Sequence, residues 1–86
     1  MANIASQMKR NRQNIARRDR NRAVRSNVKT HLRLFRKAVD SGDRDSAAEA
    51  YHKAARRLDK AAEKGVVHRN FAANKKSKMA KALNEL

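Results

Sequence analysis

Arg10, Arg12, Arg17, Arg18, Arg20, Arg22 and Arg25 fall within sixteen consecutive positions, joined by Lys9 and opposed by one carboxylate, Asp19. A guanidinium fork can bridge two phosphate oxygens or stack on an exposed planar ring. Lys and Arg that neutralise phosphates also release counterions, so binding of this kind weakens steeply as salt rises. Asn3, Asn11, Asn14, Asn21 and Asn27 are interleaved with these cations. Their amides can reach ribose hydroxyls or base edges. The pattern carries no code for reading a base sequence, and positioning on backbone and shape is the expected mode.

Nothing else in the chain offers chemistry. His31, His52 and His68 fall on separate segments with no carboxylate at metal-ligand spacing. Asp40, Asp43, Asp45 and Glu49 gather at one turn without the alternating oxygen ligands of a calcium loop, and helix capping accounts for them. No glycine-rich phosphate loop is present. We expect no enzyme, no cofactor, no metal site and no small-molecule substrate. Of the three aromatics, Phe35 and Tyr51 sit on apolar stripes. Phe71, beside Arg69 and Asn70, is either a base-stacker or the edge of a stripe.

Composition agrees. The chain has 86 residues, 23 Lys and Arg against 8 Asp and Glu, and a net charge of +15. One small domain with a thin core is all this length allows. A chain so charged repels itself, and its partner should be a polyanion. There is no cysteine for a disulfide or thiolate site, and no apolar run approaches a membrane span. The N-terminus lacks the apolar stretch of a secretory signal. Charge is unevenly placed: +11 over residues 1–37, zero over 38–66 and +4 over 67–86.

Apolar spacing predicts three helices in an all-α, antiparallel three-helix bundle. Val24, Val28, Leu32, Phe35 and Val39 make one stripe on a first helix from about residue 6 to 41. A second helix, about Asp43 to Lys64, has Asp43 or Asp45 as N-cap and the stripe Ala47, Tyr51, Ala54, Leu58, Ala61. Gly65 should cap its C-terminus. The third runs from about His68 to the end, with Ala72, Met79, Leu83 and Leu86 on one face. The first helix would be about 54 Å long and its partners about 30 Å. Its basic N-terminal half should therefore project as an arm. We divide the chain into an arm, 1–23, and a bundle, 24–86, of a single RNA-binding helical domain. Traced back along the arm, the apolar stripe turns polar through Asn21, Arg17, Asn14 and Arg10, and cations point in nearly every direction. A membrane-surface helix needs a broad apolar face instead. Ile4, Met8 and Ile15 form only a narrow strip opposite the bundle stripe, suited to ribose or a neighbouring protein. A transit segment would require cleavage through the bundle's own first helix. A histone-like nucleic-acid compactor remains the alternative to a binder of folded RNA.

The wording of the chain is more specific. Met1-Ala2-Asn3-Ile4, the run Arg20-Asn21-Arg22-Ala23-Val24-Arg25-Ser26-Asn27-Val28-Lys29-Thr30, and Lys64-Gly65-Val66-Val67-His68-Arg69-Asn70 resemble the bacterial small-subunit ribosomal protein S-twenty family. Ala72-Ala73 and Lys76-Ser77-Lys78-Met79 extend the likeness over the whole chain. The resemblance implies a structural constituent of the small ribosomal subunit, in the cytoplasm. It would bind small-subunit ribosomal RNA directly, at the 5′ domain and the penultimate stem, with few protein neighbours. By position, Arg10, Arg17, Arg18, Arg22, Arg25, Ser26 and Lys29 would be first-helix RNA contacts. His68, Arg69, Asn70, Lys75, Lys76, Ser77 and Lys78 would be contacts at the third helix. Lys9, Arg12 and Arg20 join them on charge alone. Asn74 and Lys78 stand where relatives often carry Arg, and Ala5 and Met8 where Lys is frequent.

Like charges at i,i+4 with no packing to offset them disfavour the arm's helix in the absence of a polyanion. Circular dichroism of the chain alone is expected to show less than full three-helix content, rising when RNA is added. Full content that RNA leaves unchanged would contradict this.

Overall fold

The computed structural model describes residues 2–86, with side chains from Ile4 onward. Met1, and the side chain of Asn3 expected as a donor, lie outside the described residues. Three helices follow one another: α1 (Ala2–Asp40), α2 (Arg44–Glu63) and α3 (Arg69–Asn84). No strand occurs among the described residues. The first helix starts four residues earlier than its apolar spacing predicts. Those residues have no stripe to announce them, and nothing there breaks a helix.

The elements end where their residues stop helices. Ser41 and Gly42 close α1. Gly42 adopts φ 75°, and the Ser41 hydroxyl donates to the Ala38 carbonyl at 2.6 Å. Gly65, also at φ 75°, closes α2 with a paired motif. Its N–H donates to the Ala62 carbonyl at 3.0 Å, and the Val66 N–H to the Ala61 carbonyl at 2.9 Å. Val66, the residue after this left-handed turn, is buried, as the motif favours. Apolar spacing alone marks Val66 only as part of a turn.

Asp43, not Asp45, is the N-cap of α2. Its Oδ1 accepts from the Asp45 and Ser46 backbone N–H groups at 3.1 and 3.3 Å. Its Oδ2 accepts from the Ser46 hydroxyl at 2.8 Å. Asp45 sits in the first turn of α2, next to the positive end of the helix dipole.

In the bundle, α2 lies in the middle and packs on both neighbours, while α1 and α3 touch only sparingly. The reason is legible in α2. Ala47, Ala54 and Ala61 are buried at 0%, 1% and 0% exposure, so the neighbouring backbones come close. Leu58, between the last two, is the largest fully buried side chain. Val28 and Phe35 of α1, and Ala72 and Met79 of α3, close over it. Burial of each large apolar side chain contributes about 1.5–3 kcal/mol. Tyr51 is half-buried rather than central, edge-on to Phe35 with ring centroids 6.3 Å apart. Leu86, expected on the α3 stripe, is instead 41% exposed, because α3 ends at Asn84 and Glu85 caps it.

The mismatch of lengths has the predicted consequence. Every residue from Ile4 to Arg20 is exposed, and Asn21 is the first half-buried one. The molecule is 64 × 21 × 13 Å, most of the long dimension being α1.

The Ser46 hydroxyl and then the Ser46 N–H, with a further contribution from the Asp45 N–H, hold the Asp43 carboxyl below its ordinary 3.8 against a weaker opposing effect of desolvation. A carboxyl lowered in the folded state stabilises the fold above its ordinary pKa, and this contribution is lost as pH falls through the lowered value. Asp43→Asn keeps an acceptor but cannot titrate. Urea unfolding between about pH 5 and 2 should therefore show a shallower acid loss in the variant than in the parent chain. Superimposable acid limbs would contradict the assignment.

Candidate nucleic-acid interface

The arm carries its cations on every side. Lys9, Arg10, Arg12, Arg17, Arg18 and Arg20 are all exposed, and successive residues of a helix turn by about 100°, so they surround the axis. Asp19 is the arm's one acidic side chain. None of these cations has an ion-pair partner among the described residues. Ile4, Met8 and Ile15 are 57%, 53% and 55% exposed, a strip on which nothing rests. Arg22, Arg25, Ser26 and Lys29 continue along α1 where it joins the bundle, also exposed.

The α2–α3 turn, just before the second expected group, lies against the root of the arm. Gly65 and Val66 share a hollow with Arg17, Arg20 and Asn21. His68 follows directly, as the N-cap of α3 (φ −70°, ψ 143°). Its Nδ1 accepts from the Asn70 backbone N–H at 3.0 Å. An accepting Nδ1 carries no proton, so the hydrogen of the neutral ring lies on Nε2. His68 is exposed, and its Nε2–H has no partner among the described residues. Arg69 and Asn70 are exposed beside it, and no carboxylate occupies the first turn of α3. The positive end of the helix dipole there is left open to an anion.

Lys75, Lys76, Ser77 and Lys78 do not form one face. Lys76 turns to α2 and its Nζ meets Asp59 Oδ1 at 2.7 Å, leaving the side chain only 34% exposed. Among the described residues it is the expected cation that is held in an ion pair within the fold. Lys75 lies on the other side, with Nζ 5.6 Å from the centroid of the Phe71 ring. Lys75 and Lys78 border a groove between α1 and α3, opposite Arg36 and floored by Leu32, Phe35 and Met79. Phe71 is 42% exposed and outside the core.

Arg33 and Arg36 are not among the expected contacts. With Lys29 they stand at i, i+4 and i+7, one ridge of α1. That spacing is present in the sequence, but the apolar stripe through Leu32 and Phe35 runs beside it and masks it. Arg57 and Lys60 of α2, with its C-cap Lys64, are likewise absent from the expected set, and they line the arm's root together with Arg20 and Val24.

Glu49 pairs with Lys53 at 3.3 Å, and His52 lies edge-on to Tyr51 at 5.4 Å between centroids. Among the described residues no group of three or more His, Cys, Asp or Glu is placed to hold a metal ion. Nor is any described helix long and apolar enough to cross a membrane.

Comparison with known proteins follows the same lines. A family model described as ribosomal protein S20 matches residues 2–84. The protein named "Small ribosomal subunit protein bS20" from Mycolicibacterium smegmatis is 59% identical over 86 residues, covering all of both chains. Its namesakes from Nocardia farcinica and Mycobacterium tuberculosis are 58% and 57% identical, again over the full length of both chains. The match is with structural ribosomal proteins and not with enzymes. On a family model that spans nearly the whole sequence, and on relatives this similar from end to end, the chain belongs to the ribosomal protein S20 family.

Proposed function

We propose that this chain is an architectural constituent of the small ribosomal subunit that binds small-subunit ribosomal RNA directly. The observation that carries the reading is the arm: seventeen residues from Ile4 to Arg20, every one exposed, with cations on all sides and one acid. A solvated charged face would show cations on one side of a helix whose other side is buried. A helix charged all round is suited to a space between RNA helices whose phosphates would otherwise repel each other. The bundle, 24–86, then serves as a rigid base and residues 1–23 as the inserted arm. Lys9, Arg10, Arg12, Arg17, Arg18 and Arg20 would bridge phosphates along it. Arg22, Arg25, Ser26 and Lys29 would continue the contact. His68, Arg69 and Asn70, with Lys75, Ser77 and Lys78, would make a second one. Lys76 contributes less, since Asp59 competes for it. The family likeness points to the 5′ domain and the penultimate stem as the RNA elements, to few protein neighbours, and to the cytoplasmic ribosome as the location.

The test is a salt series of RNA affinity. Replacing Arg17, Arg18, Arg22 and Arg25 by Ala should weaken binding to small-subunit ribosomal RNA and lower the salt slope by about one for each phosphate no longer neutralised. The bundle should stay folded, because none of the four is buried. Unchanged affinity would refute the arm as the main surface.

His68 separates two roles. Asn is also a good N-cap, so His68→Asn should unfold like the parent chain, while His68→Ala should lose about 1 kcal/mol. Both should bind RNA more weakly, for want of the imidazole Nε2–H donor. Parental RNA affinity in His68→Asn would reduce His68 to a cap.

A further inference from the structure

Residues 38–66 sum to zero charge, yet three cations gather on one flank of α2, with the exposed Glu63 of the last turn beside Lys60 and Lys64 but lining neither hollow at the arm's root. Asp45 lies in its first turn, Glu49 is taken by Lys53, and Asp59 is turned away to Lys76 of α3. Arg57, Lys60 and Lys64 fall at i, i+3 and i+7 on one flank, all exposed and without an ion-pair partner among the described residues. This flank faces the root of the arm. Arg57, Lys60 and Lys64 share one hollow with Arg20 and Val24. An adjoining hollow, with Arg20, Val24 and Lys64 in common, adds Arg17. Five cations from two helices thus surround a floor of Val24 and Val66, and no carboxylate lines either hollow.

Helix C-termini favour cations, which accounts for Lys60 and Lys64. It does not account for Arg57 two turns before the end, nor for Arg17 and Arg20 set opposite. Like charges brought together across a cleft repel, and a walled cleft of one sign concentrates its field on a counter-ion. The larger hollow has about 570 Å³, against the roughly 10–15 Å³ that one water needs. A phosphate with its hydration fits.

We infer that this cleft, between the root of the arm and the C-terminal flank of α2, is a further binding site for RNA, taking a stretch of sugar-phosphate backbone across the end of the bundle. The inference rests on the RNA-binding reading above and extends it to α2, whose local charge gives no sign of it. A strand held there touches arm and bundle at once, and so fixes the direction in which the arm enters the RNA.

Two variants of equal charge test it. Arg57→Ala with Lys60→Ala empties the cleft of two cations. Arg44→Ala with Arg56→Ala removes two exposed cations that line neither hollow. Ala favours helix, so both should fold, which circular dichroism checks. Binding to small-subunit ribosomal RNA across a salt series should weaken roughly tenfold or more for the first pair, with a salt slope lower by about two. The second pair should bind within about twofold of the parent chain. Equal losses in the two pairs, or no loss in the first, would overturn the cleft while leaving the arm's role intact. Failure of the parent chain itself to bind the RNA would overturn the RNA-binding reading, and the cleft with it.

Discussion

A helix of 39 residues cannot be covered by partners of 20 and 16. At 1.5 Å per residue α1 runs about 58 Å beside helices of about 30 and 24 Å. Nothing in the chain can bury the surplus, and the residues that occupy it make burial impossible in any case. The exposed arm follows from that mismatch, and the cations of Lys9 to Arg20 are exposed with it. An arm that could pack would need an apolar face, and Ile4, Met8 and Ile15 are too few and too narrow to make one. An arm without a partner keeps its like charges in contact at helical spacing. The structure is complete as a fold only within the bundle.

The close packing of the bundle rests on small residues. Ala47, Ala54 and Ala61 draw α1 and α3 onto α2, with Leu58 filling the space between. This arrangement makes α2 the hub and leaves α1 and α3 almost apart. It also decides where charge appears. The inner face of α2 is occupied, and Asp59 is committed to Lys76, so the C-terminal cations of α2 come to lie beside the arm. Packing and electrostatics are therefore joined at one point, the α2–α3 turn. There Gly65 reverses the chain, buried Val66 anchors it, and His68 starts the next helix with its own ring.

Most of this could be read from the residues. The stripes through Val28, Phe35, Leu58 and Met79 gave the three helices and their buried faces, since period 3.6 is a strong signal over long segments. Gly42 and Gly65 gave the turns because no other residue there tolerates a left-handed backbone as well. The family likeness agreed with both. The start of α1 was not legible, because a helix without an apolar face has no periodicity to detect. Leu86 was misplaced because a periodic position past the last turn looks like any other. Tyr51, on the α2 stripe, packs against the core from a half-buried position. The cleft at the arm's root was hidden for a different reason. Summing charge along the chain cancels Arg57, Lys60 and Lys64 against carboxylates that line neither hollow. Likewise, position in the chain could not tell that Lys76 meets Asp59 while Lys75 and Lys78 face the other way.

The central claim is that RNA surrounds the arm instead of lying along one side of it. Hydroxyl-radical footprinting of small-subunit ribosomal RNA, with and without the pure chain, measures this most directly. The account predicts protections on at least two RNA helices that are separate in secondary structure, both abolished when the arm is deleted. Protections confined to a single strand or a single helix would contradict it.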